Sequence, residues 1–234
     1  MTVKYDWPIS FDRDQFLEVT GETYTRLLRR PGMAQVFDEM VAEATNLVHP
    51  AAVWEAHPIQ ELRHEKVILQ NGKRIGNGPV TTVVAGASHL VVAVCTIGQP
   101  MSDRATEYQK TGEPLRALFL DGLGTFAVGM LRQRVCDWLE NDCASQGLHS
   151  STSLSPGESI WTIKDQTVIF DLVDAGAIGV TLTETLLMKP FKSLSLIMGI
   201  GNQPMGVPGT THCDYCTMAD RCPHRQVGAA SAVA

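Results

Sequence analysis

The sequence predicts an α+β fold, in which helices and strands occupy separate stretches of the chain rather than alternating. Apolar residues recur at helical spacing over residues 12–48 and over residues 114–141. Runs rich in β-branched residues lie over residues 66–98 and over residues 178–200. A doubly wound parallel sheet needs regular strand–helix alternation, so this segregation favours α+β.

The N-terminal half begins with helices and continues with strands. Asp12 or Asp14 can cap a first helix, which Pro31 and Gly32 end, and Pro50 ends a second helix. Asn71 and Gly72 form a turn signal between strands. The expected elements are helices over residues 12–30 and 33–48, and strands over residues 67–69, 80–84 and 90–97.

The C-terminal half opens with a long apolar helix whose small residues, among them Gly122 and Gly124, suit close packing against another element. A serine-rich loop follows it. The expected elements are a helix over residues 114–141, the loop over residues 147–157, a helix over residues 164–173, and strands over residues 178–182 and 193–200. We expect a domain over residues 1–201, a cysteine-rich segment over residues 202–226 and a flexible tail over residues 227–234.

Composition excludes several classes of protein. Of the 234 residues, 44% are hydrophobic and 19% are charged, with a formal net charge of −6. A folded chain of this length buries about 70–75% of its unfolded surface, which is enough for a core. Its apolar content is ordinary and it has no low-complexity tract, so disordered, collagen-like and coiled-coil classes fit poorly. The negative charge argues against nucleic acid or an anionic membrane as a partner. Residues 1–6 lack the parts of a signal peptide and no apolar stretch approaches about 20 residues, so we expect a cytoplasmic protein.

Three of the six cysteines lie within ten residues and predict a metal centre. Cys213, Cys216 and Cys222 have C-x2-C-x5-C spacing, and Pro223 follows the last of them. Three thiolates with a Cys-Pro end are typical of an iron–sulfur cluster, here expected to be 4Fe-4S. Candidates for its fourth ligand are Cys143, Cys136, His212, His224 or an exogenous group. A Cys3His zinc site with His212 or His224 is the alternative, and a chain without metal is the third interpretation.

A second set of motifs lies upstream of these cysteines. Residues 155–157 read S-P-G, residues 170–173 read F-D-L-V, and residues 178–193 read I-G-V-T-L-T-E-T-x-x-M-x-P-x-x-S. With L-D-G-L-G at residues 120–124 and T-I-G at residues 96–98, this order resembles the activation domain of cobalamin-dependent methionine synthase and its stand-alone relatives. The resemblance covers about half of the chain, roughly residues 90–201, and the L-T-E-x-x-x-M-x-P-x-x-S segment is its most specific part.

The resemblance implies a twisted antiparallel sheet with surrounding helices. It also implies a domain that binds S-adenosylmethionine and helps to remethylate a corrinoid oxidised to the cobalt(II) state. Pro156, Gly157, Thr183 and Glu184 match family motifs and are expected to line the ligand groove. Without the resemblance, this segment is interpreted only as a turn that the side chain of Thr183 or Glu184 stabilises.

Three positions depart from the family pattern. Ser153 and Glu158 stand where the family motif R-x-x-P-G-Y has its ligand-holding arginine and tyrosine, and Gly129 stands where the long helix has a glutamate. A ligand carboxylate without the arginine loses a charge-assisted partner worth about 1.5–3 kcal/mol. The sequence therefore argues against S-adenosylmethionine binding in the family manner.

Together the two sets of motifs predict an iron–sulfur protein that works with a corrinoid protein or methyltransferase. It would be a redox activator that receives an electron from a donor protein and passes it to cobalamin. One alternative is a non-catalytic, zinc-stabilised module that binds a corrinoid or a protein. Another alternative is an S-adenosylmethionine-dependent corrinoid activator. The sequence leaves open whether the chain forms a homo-oligomer.

Overall fold

The structure is a computed structural model that describes residues 1–77, 80–158, 161–206 and 214. Within these ranges seven strands form one sheet and two further strands form a separate hairpin. The strands are β1 (Thr2–Tyr5), β2 (Ala51–Arg63), β3 (Lys66–Leu69), β4 (Arg74–Ile75), β5 (His89–Thr96), β6 (His149–Ser150), β7 (Thr181–Leu182), β8 (Met188–Lys189) and β9 (Ser193–Gly201). The helices are α1 (Arg13–Thr20), α2 (Glu22–Leu28), α3 (Met33–Leu47), α4 (Val80–Val83), α5 (Pro100–Lys110), α6 (Pro114–Ser145) and α7 (Gln166–Leu172).

The main sheet is antiparallel throughout, and its strand order is β4-β3-β2-β5-β9-β6, with β1 beside β2. Strands β7 and β8 form the separate antiparallel hairpin. Helices and strands are segregated along the chain, which confirms the predicted α+β class and the antiparallel sheet surrounded by helices.

Strand β5 lies at the centre, and both of its faces are buried. Each of its residues from Leu90 to Thr96 is buried, and it pairs with β2 on one side and β9 on the other. Because successive side chains of a strand point to opposite faces, these strands contribute to two cores. The helix-side core receives Ala52, Trp54, Val91, Ala93, Cys95, Leu196 and Met198, and the opposite core receives Ala51, Val53, Leu90, Val92, Val94 and Ile197.

The helix-side core is dominated by α6 and a group of phenylalanines. Phe16 and Phe37 have ring centroids 5.1 Å apart, and Phe37 lies 5.6 Å from Phe119 of α6. Edge-to-face and tilted contacts at these distances add stability beyond the apolar area that they bury. Among the described residues α6 is also the helix long and apolar enough to span a membrane, and 56% of that apolar window is buried inside the fold.

Three predicted elements differ in the structure. The first helix is two helices, because Gly21 with φ 75° ends α1 and begins α2, although Asp12 caps α1 as expected by accepting from the Gln15 N–H at 2.9 Å. The prediction of a strand over residues 80–84 is wrong, because residues 80–83 form the short helix α4. Its valines Val80 and Val83 are buried at helical spacing. The strand predicted over residues 178–182 begins as the 3-10 helix Ala175–Ile178 and contains only the two-residue β7.

The sequence patterns predict no element over β2 or α5. In β2 the buried half Ala51–Trp54 is followed by an exposed half that pairs with β3, so no single alternation pattern runs through it. In α5 only Met101, Ala105 and Tyr108 are buried. Because most of its remaining residues are polar, α5 has little of the apolar periodicity that identifies a helix.

The glycines of α6 allow close packing, as the sequence predicted. The hydroxyl of Tyr24 donates to the Leu118 carbonyl at 3.1 Å, and a Cβ on Gly122 would lie 2.3 Å from that hydroxyl. A Cβ on Gly124 would lie 3.1 Å from the side chain of Met101 and 3.2 Å from that of Lys192. The absence of side chains at these two positions therefore lets α2 and the segment before β9 approach the long helix.

We expect Gly122→Ala to lower the free energy of unfolding by about 1–3 kcal/mol, because the added methyl group displaces Tyr24. The matched control is Gly129→Ala in the same helix, since a Cβ there meets nothing within 4 Å. This control should raise stability by about 0.5–1 kcal/mol through helix propensity. Urea unfolding of both variants measures the difference, and equal stabilities would contradict the packing role of Gly122.

A second expectation concerns the thiol of Cys95, which is 1% exposed in the helix-side core. Burial, followed by the nearby Cys136, raises its pKa from 9.0 to about 12. The unfolded thiol therefore loses its proton first as the pH rises. Its contribution to stability is complete below about pH 9 and is lost as the pH approaches about 12.

Unfolding free energies measured from pH 8 upward should thus fall, with up to about 1.4 kcal/mol per pH unit coming from this group. The variant Cys95→Ala should have a flatter profile over that range, whatever its stability at neutral pH. Parallel profiles for the two proteins would show that Cys95 does not carry this pH dependence.

Candidate functional site

The S-P-G loop, residues 153–158, begins along the side of β9 that faces away from β5, where β6 also pairs. Leu154 exchanges backbone hydrogen bonds with Ile197, at 3.1 Å and 2.8 Å. The chain then leaves the strand and turns at Gly157, which has φ 90°, and the Gly157 N–H donates to the Trp161 carbonyl at 2.9 Å. The predicted motif residues Pro156 and Gly157 therefore lie on a turn that diverges from the sheet edge.

The T-E turn, residues 183–187, joins β7 to β8 across from this loop. The Thr183 hydroxyl accepts from the Leu187 N–H at 3.0 Å, and the Thr183 N–H donates to the Leu187 carbonyl at 2.9 Å. Glu184 at the tip of the turn is exposed. Thr183 thus holds the turn closed, which is the simpler of the two roles that the sequence allowed.

A cavity of about 190 Å³ lies between the S-P-G loop and the T-E turn. Of the four predicted groove residues, Pro156 lines this cavity, whereas Gly157, Thr183 and Glu184 lie outside its lining. Its wall is formed by Ser155, Pro156, Ile163, Gln166, Leu186, Leu187, Met188, Phe191, Ser193, Leu194 and Ser195.

The cavity combines buried polar groups with exposed apolar side chains. Ser195 donates to the Gln166 side-chain carbonyl at 2.8 Å, and Ser155 is 6% exposed with a hydroxyl that has no partner among the described residues. At its margin Leu187 is 53% exposed and Phe191 is 58% exposed. An apolar margin with a few convergent polar groups is the usual composition of a small-molecule site.

Arg132 of α6 makes contacts at both substituted positions of the S-P-G loop. Its Nη1 lies 3.3 Å from Glu158 Oε1, and its Nη2 donates to the Ser153 hydroxyl at 3.3 Å. The second oxygen of Glu158 accepts from the Ser155 N–H at 3.2 Å. Gly129, the third substituted position, lies one helical turn before Arg132 with open space around it. One guanidinium therefore connects the helix to the two loop positions that depart from the family motif.

Sequence reasoning missed Arg132, although the sequence contains a signal for it. The buried stripe of α6 includes Leu131, Val135, Cys136 and Leu139, and Arg132 falls within it at helical spacing. A charged residue in an apolar stripe needs a partner of opposite charge, because an unpaired charge there is strongly destabilising. Here Glu158 is that partner.

The other predicted motifs meet at the same end of the sheet. Ser193 donates to the Thr96 hydroxyl at 2.8 Å, which joins the P-x-x-S end of one motif to the T-I-G motif. Lys192 lies 2.7 Å from Asp121 and donates to Thr125 at 2.8 Å, which joins it to the L-D-G-L-G motif of α6. These motif residues hold the T-E turn against the long helix.

The predicted metal ligands divide into two groups. Cys213, Cys216, Cys222, His212 and His224 lie outside the described residues. Cys136 and Cys143 lie on α6, and burial raises the pKa of both thiols, which favours the protonated form over the thiolate that binds metals. Cys136 also donates to the Ser153 hydroxyl at 3.4 Å. Among the described residues no three His, Cys, Asp or Glu side chains are grouped so that they could hold a metal ion.

Comparison with known proteins gives a match at the level of fold. No protein-family model matches the chain. No curated protein matches it either. Thirteen chains of solved structures are similar to it, and they include a crystal structure of the MetH reactivation domain bound to AdoHcy. That match has a TM-score of 0.57 and 12% sequence identity, over 85% of this chain and 78% of the MetH chain. The chain therefore has the fold of the methionine synthase activation domain that its motifs resemble.

Proposed function

We propose that this chain acts with a corrinoid protein, or a corrinoid-dependent methyltransferase, as a redox activator of its cobalamin. The observation that carries the proposal is the fold match to the MetH reactivation domain over 85% of the chain. Reactivation returns an oxidised corrinoid to use, and this requires an electron. A cytoplasmic protein with this fold and a redox centre of its own could supply that electron directly.

The contacts of the S-P-G loop support a role in electron transfer rather than in binding S-adenosylmethionine as a methyl donor. The guanidinium of Arg132 is paired with Glu158 of the chain itself, and Ser153 replaces the family arginine. Among the described residues at this loop, a ligand carboxylate therefore meets a cation that is already paired with an acid of the chain. This arrangement favours electron transfer without a bound S-adenosyl methyl donor.

The electron source in this proposal is an iron–sulfur cluster held by Cys213, Cys216 and Cys222. Their thiolates suit a 4Fe-4S cluster, and such clusters reach potentials as low as about −700 mV. Cys213, Cys216 and Cys222 would hold this cluster, which would supply the one electron that reduction of cob(II)alamin to cob(I)alamin requires. A donor protein must then reduce the cluster again.

The fourth ligand of the cluster has several candidates in this chain. His212 and His224 flank the three cysteines in sequence. Cys136 and Cys143 are buried on α6 with raised thiol pKa values, so their use as ligands would require loss of a proton in an apolar environment. We therefore favour a histidine or an exogenous ligand at this position.

Protein purified without oxygen should contain about four iron and four sulfide ions per chain and show a broad visible absorption band. Cys216→Ser should lose the iron and the band, because it removes one of three thiolates. The matched control Cys95→Ala changes a cysteine in the core of the sheet and should keep both. Stoichiometric zinc without iron in the unaltered protein would contradict the redox proposal and favour the zinc-stabilised binding module.

The electron transfer itself can be followed with cob(II)alamin. Protein that has been chemically reduced and freed of excess reductant should produce cob(I)alamin, seen as a new absorption band and loss of the cobalt(II) paramagnetic signal. Cys216→Ser should give no more cob(I)alamin than the reductant-free buffer. Iron-loaded protein that leaves cob(II)alamin unchanged, both free and on corrinoid proteins, would contradict this function even if the cluster is present.

A further inference from the structure

His89 lies at the end of the sheet from which the chain continues toward the three clustered cysteines. It is the first residue of β5 and pairs with Ile200, one residue before β9 ends at Gly201. The loop before His89 packs closely on this end of β9, because a Cβ on Gly201 would lie 2.6 Å from the Gly86 carbonyl oxygen. His89 itself is exposed, so its ring is open to a group that approaches from outside the fold.

The chain after β9 stays beside this loop before the cysteines begin. Met205 is half-buried between exposed neighbours, and a Cβ on Gly86 would lie 3.8 Å from its side chain. Gly86 is three residues before His89 in the same loop. Cys213 follows Gly206 by seven residues, which span at most about 25 Å when fully extended. The first of the three cysteines is therefore within reach of the loop that carries His89.

Ser88 determines which nitrogen of the His89 ring carries the proton. It donates to the Ile200 carbonyl from its backbone N–H at 2.8 Å and from its hydroxyl at 3.2 Å. The hydroxyl has a single hydrogen, so it must accept from His89 Nδ1, which lies 3.0 Å away. Nδ1 is thus protonated, and Nε2 carries the free lone pair. A metal-ligating histidine has this arrangement, in which one nitrogen donates to a neighbouring group and the other binds the metal.

The other described histidines are less suited to bind a metal held by the cysteines. His57 donates from Nε2 to a backbone carbonyl at 2.9 Å. His49 lies at the opposite end of β5, and His64 lies in the turn between β2 and β3. His149 pairs with the last residue of β9, but no hydrogen bond from the described part of the chain fixes its ring. His89 alone among these five combines the position with a fixed ring.

We propose that Nε2 of His89 is the fourth ligand of the iron–sulfur cluster held by Cys213, Cys216 and Cys222. This inference rests on the proposed function, because it needs the cluster, and it adds a ligand from outside the cysteine-rich segment. A ligand on β5 fastens the cluster to the central strand of the sheet. It also leaves the buried thiols of α6 protonated, as their raised pKa values favour.

Pulsed electron paramagnetic resonance of the full chain, purified without oxygen and reduced, tests this ligand. A directly bound nitrogen gives a hyperfine coupling to the cluster spin, and the unaltered protein should show it. His89→Ala should lose the coupling, and its iron content should fall from about four to about three ions per chain. His89→Cys should also lose the coupling but keep about four iron ions, because a thiolate replaces the imidazole.

Three other histidine variants are the matched controls. His149→Ala at the same end of the sheet, and His212→Ala and His224→Ala beside the cysteines, should each keep the coupling. Its loss in any of these three would overturn the proposal, as would its absence from the unaltered protein or its persistence without His89. Each of these results requires a cluster and so leaves the proposed function standing, whereas protein that forms no cluster overturns both.

Discussion

The rest of the structure depends on β5 being apolar on both of its faces. A strand with one solvated face needs a single core, but residues 90–96 are all buried and require a layer on each side. The helices α3 and α6 cover one face. The short helices α4 and α7 and the 3-10 helix Ala175–Ile178 cover the other face. Every residue of β5 pairs with a residue of β9, so the burial of β5 also fixes the position of β9, whose residues Ser193, Leu194 and Ser195 line the cavity.

The cavity lies where the chain that pairs with β9 leaves it. Residues 149–150 and Leu154 pair with β9, and the S-P-G loop then turns away. Leu154 still pairs with Ile197, but the S-P-G loop turns away before it reaches Ser195 and Ser193. Two buried serines and Gln166 are thereby left facing a space rather than another strand. The T-E turn closes the other side, and its position follows from the contacts of Lys192 with α6.

The sequence predicted the elements in which one physical signal dominates. The helix α3 and the strands β5 and β9 have clear periodicity or β-branched runs, so their positions were found within a few residues. The segment of α4 shows why composition misleads: Val80, Val83 and Val84 favour a strand by type, yet their burial at helical spacing decides for a helix. At the candidate site, the predicted groove residues lie on the loop and the turn beside the cavity, and their role in ligand binding stays a prediction; Thr183 also accepts from the backbone of the turn. Arg132 was missed because its partners Ser153 and Glu158 lie 21 or more residues away, and only the fold brings them together.

The exchange of residues around Arg132 has a consistent electrostatic logic. In the motif that this chain resembles, the loop carries the positive charge and the helix carries the acid, whereas here α6 carries the arginine and the loop carries the glutamate. A guanidinium therefore still lies beside the S-P-G loop, although it comes from α6. The acid is the more exposed member of this ion pair, because 36% of the Glu158 side chain is exposed against 12% of the Arg132 side chain. The two loop residues that replace the ligand contacts of the motif, Ser153 and Glu158, are therefore the residues that contact Arg132.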